Sequence, residues 1–271
     1  MVIVLDNLQL PKLFATLERS RSWIRGEIIS KLHSLITDYD FIVDRWPDYR
    51  ALVVRVNPAT AKFPVHLSMC TSVYASDQGI LENLLQQPGV IDWSSRIGFI
   101  FDKILCQHQK TFEAEALIGM KITRRTLRLR PTPDGFKITS LTPEQANLVN
   151  SFWPNNEGIH SELYIKELIS KLPSCCLYNS EESMVGYALT YPTGYIGFLR
   201  VLEEHRGKGY AKVIMSHLAS FCLQQIEEVH IKVRKTNNAS FALHQSIGFE
   251  TEDEDTGWWL QEHNSLNTPS M

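Results

Sequence analysis

A strand, a glycine-containing turn and a helix follow one another directly between residues 195 and 222, and this order constrains the fold most. The segment 195–202, YIGFLRVL, carries the β-branched and aromatic residues that favour a buried strand. Apolar residues then recur at helical spacing from Tyr210 to Phe221. We therefore predict a strand, a tight turn with two glycines and a helix that begins near Gly207. The free N–H groups and the positive dipole end of such a helix bind anions, most often phosphate.

The rest of the chain mixes helical and strand-like patterns on both sides of a turn cluster, PTPDG, at residues 131–135. Before the cluster we predict one or two helices over 10–36, strands over 50–56 and 63–75, a helix over 79–87, mostly helical structure over 96–120 and a strand over 123–130. After it we predict strands over 136–141, 174–179, 183–192 and 228–234, and helices over 142–153, 161–172 and 238–247. Thr142 is expected to cap the first of these helices, with Pro143 at its first position. Residues 250–259 are predicted to form an acidic hairpin tip.

This order of elements predicts an α/β (α+β) fold. The 271 residues suit one or two domains, and a hydrophobic content of 44% is ample for a core. We place the domain boundary at the turn cluster. This gives a first domain over 1–133, a second over 134–263 and a disordered tail over 264–271.

Charge and hydropathy exclude several classes of protein. The formal net charge of −3 gives no electrostatic reason to expect nucleic acid or an anionic membrane as a partner. No apolar run approaches the roughly 18 residues that a transmembrane helix needs. The N-terminal segment lacks a basic region and a small-residue cleavage site, so we expect no secretory signal. Three arginines within 18–26 leave a mitochondrial presequence open, against Asp6 and Glu18, and we expect a cytoplasmic or mitochondrial protein.

Arginines cluster in the strand predicted over 123–130. Arg124, Arg128 and Arg130 fall on one face of it, with Arg125 opposite. Because no aromatic stacking platform accompanies them, we interpret this face as solvated or salt-bridged and not as a nucleic-acid site.

The cysteines suggest neither a disulfide framework nor a metal site. There are five of them, with no C-x-x-C pair: Cys70, Cys106, Cys175, Cys176 and Cys222. We interpret them as reduced structural thiols of an intracellular protein, and we predict no bound metal.

Three kinds of phosphate-binding loop compete for the turn at 206–211, RGKGYA. A P-loop needs G-x-x-x-x-G-K-[ST], and neither that spacing nor the magnesium-binding hydroxyl is present. A dinucleotide fingerprint needs G-x-G-x-x-[GA]; Gly207 and Gly209 fit, but Lys212 stands where close helix–strand packing favours a small residue. The third pattern, R-x-x-G-x-A from Arg206 to Ala211, resembles the coenzyme A loop of the GNAT acyltransferase superfamily.

Further segments carry the same resemblance. Residues 237–249 follow the superfamily's second pattern, N-x-x-A-x-x-L-Y-x-x-x-G-F, with Ser240 in place of alanine and His244 in place of tyrosine. The segments 46–54, 146–153, 172–178 and 191–206 resemble glycine N-acyltransferases and their paralogues. Since these segments lie in both halves, the similarity covers most of the chain.

The resemblance implies a fold and an activity. The fold is a GNAT-type mixed sheet flanked by helices, after an N-terminal α/β domain of the glycine N-acyltransferase type. The activity is that of an enzyme that transfers an acyl group from acetyl-CoA or another acyl-CoA to the amino group of glycine or another small amine. Its partners are small molecules, with no nucleic acid and no membrane.

The resemblance also implies a set of cofactor-binding residues. The pyrophosphate of acyl-CoA would bind the backbone N–H groups of the loop, with charge from Arg206 and Lys208: Gly207, Lys208, Gly209, Tyr210 and Ala211. The glycines permit close backbone approach and positive φ. The strands over 195–202 and 228–234 would splay apart, with the pantetheine arm against Leu199, Val201 and Leu202. Asn237 is either a plain helix cap or a cap that also contacts the cofactor.

The proton chemistry is the open part of the resemblance. The acceptor amine must lose a proton before it attacks the thioester, and the departing thiolate can take one. Many relatives place a tyrosine acid at the position of His244. Glycine N-acyltransferases carry a glutamate on the strand before the loop, and Tyr195 stands there in this chain. Glu203 beside the loop and His230 on the next strand are further candidates, and a water relay is an alternative. Trp258 and Trp259 either cover the acyl or acceptor pocket or simply end a strand.

Three functions therefore remain open from the sequence. The first is an acyl-CoA:amino acid N-acyltransferase, with Tyr195, Glu203 and His244 as candidate catalytic residues. The second is a GNAT enzyme for a polyamine or a protein amine, and the third is an acyl-CoA-binding protein with little or no turnover. The missing strand glutamate motivates the last two. The sequence does not choose the acyl chain, the acceptor or the oligomeric state.

Overall fold

A computed structural model describes residues 2–18, 21–35, 38–63, 71–93, 97–102 and 115–261. The chain divides into two compact units, one with residues 1–117 and 254–271 and the other with residues 118–253. The boundary predicted at residue 133 lies inside the second unit, because Met120 and Ile122 are buried in the core of that unit. Cys70, Cys106 and the predicted tail lie outside the described residues.

The first unit is built on a mostly antiparallel sheet. Its strands neighbour one another in chain order: β1 (Ile3–Val4), β2 (Tyr39–Val43), β3 (Ala51–Val56), β4 (Thr71–Ala75) and β5 (Ile97–Asp102). The pairing is antiparallel from β1 to β4 and parallel between β4 and β5. Residues 256–261 of the last strand of the chain pair antiparallel with β5. The strands predicted over 50–56 and at the end of 63–75 are thereby confirmed.

Within the described residues, three helices accompany this sheet: α1 (Leu10–Thr16), α2 (Ser22–Leu32) and α3 (Gln78–Leu85). They confirm the helices predicted over 10–36 and 79–87. Helix α2 carries a fully buried acid, Glu27, which accepts a hydrogen bond from Ser72 Oγ on β4 at 2.6 Å. Burial raises the pKa of Glu27 well above its usual value, against the lowering effect of the Ser72 hydrogen bond.

The second unit contains two groups of strands. One is an antiparallel sheet in the order β7-β8-β9-β10, with β7 (Lys137–Thr139), β8 (Ser174–Tyr178), β9 (Met184–Thr190) and β10 (Ile196–Val201). The other comprises the parts of β6 (Glu115–Thr123) and β12 (Glu250–Gln261) that belong to this unit, together with β11 (Glu228–Arg234). In this second group β6 lies between β12 and β11.

Four α-helices belong to the second unit: α4 (Ala146–Ser151), α5 (Ile159–Lys171), α6 (Tyr210–Cys222) and α7 (Asn238–Ser246). A 3-10 turn over Pro143–Gln145 precedes α4, and Thr142 and Gln145 form a capping box there, as the predicted cap requires. Helix α6 packs against β8, β9 and β10. Its apolar face and one face of β11 share one core, which includes Ile214, Leu218, Val229 and Ile231.

The three described cysteines lie in this unit. Cys175, Cys176 and Cys222 are free and buried, as expected of structural thiols. Burial raises the pKa of the Cys175 thiol to about 12 and that of Cys176 to about 11, so neither is a thiolate at neutral pH. In the described ranges, no three His, Cys, Asp or Glu side chains lie together as a metal site would need, and no helix is long and apolar enough to cross a membrane.

Three segments differ from their predicted structure. The helical prediction over 96–120 is wrong in its described parts, which are strands β5 and β6, because short apolar runs have no clear period and sheet pairing decides between helix and strand. The strand predicted over 123–130 is wrong as well. Strand β6 ends at Thr123, a turn follows, and Arg124 Nε and the Arg130 guanidinium donate to the carbonyls of Leu223 (2.6 Å) and Ser246 (2.8 Å). The predicted acidic hairpin tip is instead part of the single strand β12.

Candidate active site

The loop between β10 and α6 has the backbone shape of an anion-binding site. Gly207 and Gly209 have φ angles of +77° and +84°, which residues with a Cβ rarely adopt. A Cβ on either glycine would meet no heavy atom within 4 Å, so the backbone conformation and not packing requires glycine here. The predicted role of both glycines in shaping the loop fits this geometry.

Five successive backbone N–H groups are unpaired at this loop. Within the described part of the chain, the N–H groups of residues 207–211 donate to no protein acceptor. The N–H of Arg206 bonds to Glu203 O at 3.2 Å, and the next N–H in use is that of Lys212, which bonds to Gly209 O at 3.0 Å. Unpaired N–H groups at the start of a helix, together with the helix dipole, attract an anion.

Two basic side chains flank these N–H groups. Arg206 Nε donates to Val201 O at 3.3 Å, and Lys208 Nζ donates to Glu204 O at 3.3 Å. The Glu203 side chain is 88% exposed and contacts the Arg206 guanidinium at 3.8 Å. A carboxylate so exposed is well solvated, and the catalytic role of Glu203 stays a prediction.

Strand β10 precedes helix α6 and β11 follows it, and the break in strand pairing between them is called the slot below. Strands β10 and β11 belong to different sheets, and no ladder joins them in the described residues. The register of β10 against β9 shifts between Gly197 and Arg200, which leaves Phe198 and Leu199 outside the ladder. Such a bulge bends a strand and increases its local twist. The splay of the two strands around a ligand stays a prediction.

Close packing holds the bulge in place. Phe198 has a φ of +53°, and its ring lies 5.3 Å from the Trp153 ring and 4.7 Å from the Tyr191 ring. Gly197 admits no side chain, because a Cβ there would lie 2.7 Å from Tyr191 Cε2. Aromatic contacts of this kind contribute on the order of 1 kcal/mol each and offset the strain at Phe198.

Two of the three residues expected to contact pantetheine use their backbone groups within the protein. The N–H of Leu202 bonds to Val185 O at 2.9 Å, and Val201 O accepts the Arg206 guanidinium. The Leu202 N–H is therefore occupied within the protein, whereas Val201 O keeps a second lone pair, and the contact of these residues with pantetheine stays a prediction. Leu199 lies in the bulge, outside the ladder, and packs against the core as a half-buried side chain.

The residues of the second sequence pattern lie on and before helix α7. Asn237 caps this helix, and its Oδ1 accepts the N–H of Ser240 at 3.0 Å. His244 is only 5% exposed; its Nδ1 donates to Ser240 O at 2.7 Å, and its ring packs edge-on against Phe249. Burial lowers the pKa of His244 to about 4, against the raising effect of the Ser240 hydrogen bond. At neutral pH this imidazole is uncharged, which disfavours it as a proton donor, and the catalytic role of His244 stays a prediction.

Tyr195 lies in a cluster of polar side chains that the sequence motifs did not reveal. Its buried ring is centred 5.7 Å from the ring of His230 on β11 and 5.9 Å from Lys232 Nζ on the same strand. His230 Nδ1 lies 3.2 Å from Glu252 Oε1 on β12. The alternation of β11 indicates that His230 and Lys232 share a face, but the partnership with Glu252 depends on strand order, which the sequence does not contain.

Comparisons with known proteins agree with this geometry. Residues 176–259 match the FR47-like protein family. The chain is 22% identical to the glycine N-acyltransferase of Bos taurus, over 87% of this chain and 90% of that one. A Drosophila protein solved by X-ray diffraction superposes with a TM-score of 0.77 at 16% identity, covering 96% of this chain and 98% of that one. A tandem GNAT protein from the clavulanic acid biosynthesis pathway gives a TM-score of 0.57 at 12% identity, covering 98% and 99%.

These similarities have two consequences. The matched relatives support an acyltransferase activity. The fold is that of the GNAT acyltransferases, and the similarity of the chain to the glycine N-acyltransferase family, expected from its motifs, is confirmed.

Proposed function

We propose that this protein transfers an acyl group from an acyl-CoA to the amino group of glycine or another small amine. The unpaired N–H groups of residues 207–211 carry the proposal, because a row of donors at a helix start suits the pyrophosphate of coenzyme A. Arg206 and Lys208 add positive charge beside it. The name of the bovine relative makes glycine the first acceptor to test.

The slot between β10 and β11 supports the same proposal. A pantetheine arm that starts at the loop would enter between the two strands and bring its thioester towards the bulge. Phe198 and Leu199 lie outside the ladder there, so their backbone groups are the nearest candidates to contact the thioester carbonyl. The overall reaction converts an acyl thioester and an ammonium group into an amide, the free thiol of coenzyme A and one proton.

A second function is an acyl-CoA-binding protein with little or no turnover. It is favoured by the three candidate catalytic residues taken from the sequence: Tyr195 replaces a glutamate, Glu203 is exposed and His244 is uncharged at neutral pH. It predicts that coenzyme A binds and stabilises the fold while no acyl product forms.

Thiol release distinguishes the two functions. Acetyl-, isovaleryl- and benzoyl-CoA are each incubated with the protein and glycine, glutamine, spermidine or buffer alone, and thermal melting is followed with and without coenzyme A. Release that depends on an acceptor supports acyl transfer and identifies the acceptor class. Stabilisation by coenzyme A without such release favours the binding protein. The absence of both stabilisation and thiol release would contradict both functions.

A further inference from the structure

We propose that His230, held by Glu252, is the general base that deprotonates the acceptor amine. The inference rests on the proposed acyl transfer and identifies the residue that performs its proton step. It replaces a strand carboxylate with a histidine on β11, one of the candidates that the sequence left open, and adds Glu252 as its partner.

The contact between His230 and Glu252 fixes one nitrogen of the imidazole and leaves the other available. Nδ1 lies 3.2 Å from Oε1 and 3.3 Å from Oε2 of Glu252. Because a carboxylate only accepts hydrogen bonds, Nδ1 carries the proton and the lone pair stays on Nε2. The nearest carboxylate oxygen to Nε2 is Glu228 Oε2 at 3.9 Å, and Nε2 has no hydrogen-bond partner within the described residues.

Strand order explains how two residues so far apart in sequence meet. Strand β6 lies between β11 and β12, so Glu252 must reach across it to touch His230. Gly119 occupies the crossing point: a Cβ there would lie 3.2 Å from Glu252 Oε2 and 3.4 Å from Lys232 Nζ. A glycine within a strand often marks such a close approach. The absence of a side chain at Gly119 therefore leaves the space in which the pair forms.

The position of the pair fits the proposed reaction. Tyr195, which stands where relatives carry the strand glutamate, lies beside the imidazole with ring centres 5.7 Å apart and the rings tilted by 38°. The side chains of His230 and Glu252 are 17% and 7% exposed, so the imidazole keeps limited access while the carboxylate is sequestered. His230 therefore lies beside the position at which glycine N-acyltransferases carry the strand glutamate.

Several charged and titratable groups surround the imidazole. Strand β11 contributes Glu228 and Lys232, β6 contributes Lys121 and β12 contributes Glu252, while Tyr195 faces the ring from the start of β10. Lys121 Nζ lies 3.2 Å from Glu228 Oε1, so the Glu228 carboxylate forms its ion pair with Lys121. Glu252 therefore provides the carboxylate contact that orients His230.

The proton step balances as follows. Nε2 of His230 removes one proton from the acceptor ammonium, and the nitrogen lone pair attacks the thioester carbonyl carbon. The C–N bond forms, a second proton leaves the nitrogen, and the C–S bond breaks as the tetrahedral intermediate collapses. The coenzyme A thiolate takes one proton, directly or through water, and the other is released to solvent.

The test uses His230→Asn on the full-length chain. The Asn amide nitrogen keeps the donation to Glu252, but nothing replaces the Nε2 lone pair. We expect kcat/KM for the amine to fall at least about 100-fold at pH 7, with unchanged stabilisation by coenzyme A. The deficit should shrink as pH rises, because the solution then supplies the neutral amine. A purely structural role would give a deficit that does not vary with pH.

Matched variants complete the test. His160→Asn, on an exposed position of α5, controls for replacing a histidine and should keep the wild-type rate. Glu252→Gln should lower the rate about tenfold and change the pH profile, since Glu252 acts by positioning His230. If His230→Asn loses its stabilisation by coenzyme A, His230→Gln is measured instead with the same expectations.

The outcomes separate this inference from the proposed function. A wild-type protein without acceptor-dependent thiol release overturns both. An active wild type whose folded His230 variant keeps a rate within about threefold, or loses rate equally at every pH, overturns only the role of His230.

Discussion

The loop at residues 206–211 and the cluster of Tyr195, His230, Glu252 and Gly119 are two halves of one proposed site, built in opposite ways. The loop is contiguous, open and made of backbone: positive φ angles at two glycines and five unpaired N–H groups. The cluster is enclosed, made of side chains and collected from four strands or their ends. This difference predicts that cofactor affinity and proton transfer depend on separate parts of the molecule. A substitution in one part should then reduce one property and leave the other unchanged.

The largest expected effect is a loss of coenzyme A affinity when the loop alone is disrupted. Gly209→Val forces a β-branched residue out of a φ of +84° and turns the neighbouring N–H groups away from their common target. We expect affinity for coenzyme A to fall roughly 100-fold, as the loss of one or two charge-assisted hydrogen bonds would give. Isothermal titration of coenzyme A measures it.

Gly194→Val is the matched control for this loss. Gly194 has a φ of +82°, and a Cβ there also meets no heavy atom within 4 Å, so the backbone strain is similar but lies in the turn between β9 and β10. Affinity for coenzyme A should remain at the wild-type value. Equal weakening in both variants would show that general strain, and not the loop, governs binding.

The next effect separates the role of His244 from that of His230. The pKa of His244 is about 4 in the folded chain and 6.5 in its ordinary state, so between these values the unfolded chain binds more protons and stability rises with pH. Lowering the pH from 7 to 5 should therefore cost about 2 kcal/mol of unfolding free energy from this residue. His244→Asn keeps a donor for Ser240 O without titrating, and should lose that part of the pH dependence in denaturant titrations.

The rate gives the complementary readout for His244. If proton transfer belongs to the strand cluster, His244→Asn keeps the shape of the wild-type pH–rate profile. A flattened profile in this variant, with an unchanged pH dependence of stability, would return the acid role to His244.

A smaller effect weakens the cluster without removing any of its chemical groups. Gly119→Ala places a Cβ about 3.2 Å from Glu252 Oε2, which pushes the carboxylate off His230. We expect turnover to fall about tenfold with coenzyme A affinity unchanged. Gly79→Ala on α3, whose Cβ would lie at an ordinary 3.5 Å from Asp77 Oδ1, is the control. Equal turnover in the two variants would contradict the proposal that the space at Gly119 is needed for Glu252 to contact His230.

The smallest effect concerns the exposed carboxylate beside the loop. Glu203→Gln removes a charge that is 88% exposed and 3.8 Å from Arg206. Such a surface pair contributes little, and we expect both thiol release and coenzyme A affinity to stay within about twofold of wild type. A loss above tenfold in thiol release alone would restore Glu203 as a catalytic candidate.

Sequence reasoning reached the loop and named Tyr195 and His230, but it did not reach Glu252 or Gly119, for a physical reason. The loop is a local object: the order of strand, two glycines and amphipathic helix defines it within a few residues. Glu252 meets His230 only because β6 lies between their strands, and 250–259 was predicted to be a hairpin tip. A cross-strand partner cannot be identified while the strand itself is unrecognised.

His244 shows a second limit of the same reasoning. The position of His244 in a motif predicts a proton donor, but a sequence motif carries no information about how deeply a side chain is buried. The edge-on contact with Phe249 and the position of α7 in the fold leave the ring 5% exposed, and this sets its protonation state. Helix existence and capping, by contrast, were correctly predicted around this residue, because Asn237 and Ser240 interact over only three positions.

The bulge at Phe198 has a consequence for solubility. Strands β10 and β11 are each the last strand of their group, and an unpaired strand edge is a template on which a second molecule can add a strand. Bulges, with their bend and extra twist, are one of the devices by which proteins spoil such a template. We therefore expect the same distortion to disfavour self-association, so variants that straighten β10 should aggregate more readily than the wild type.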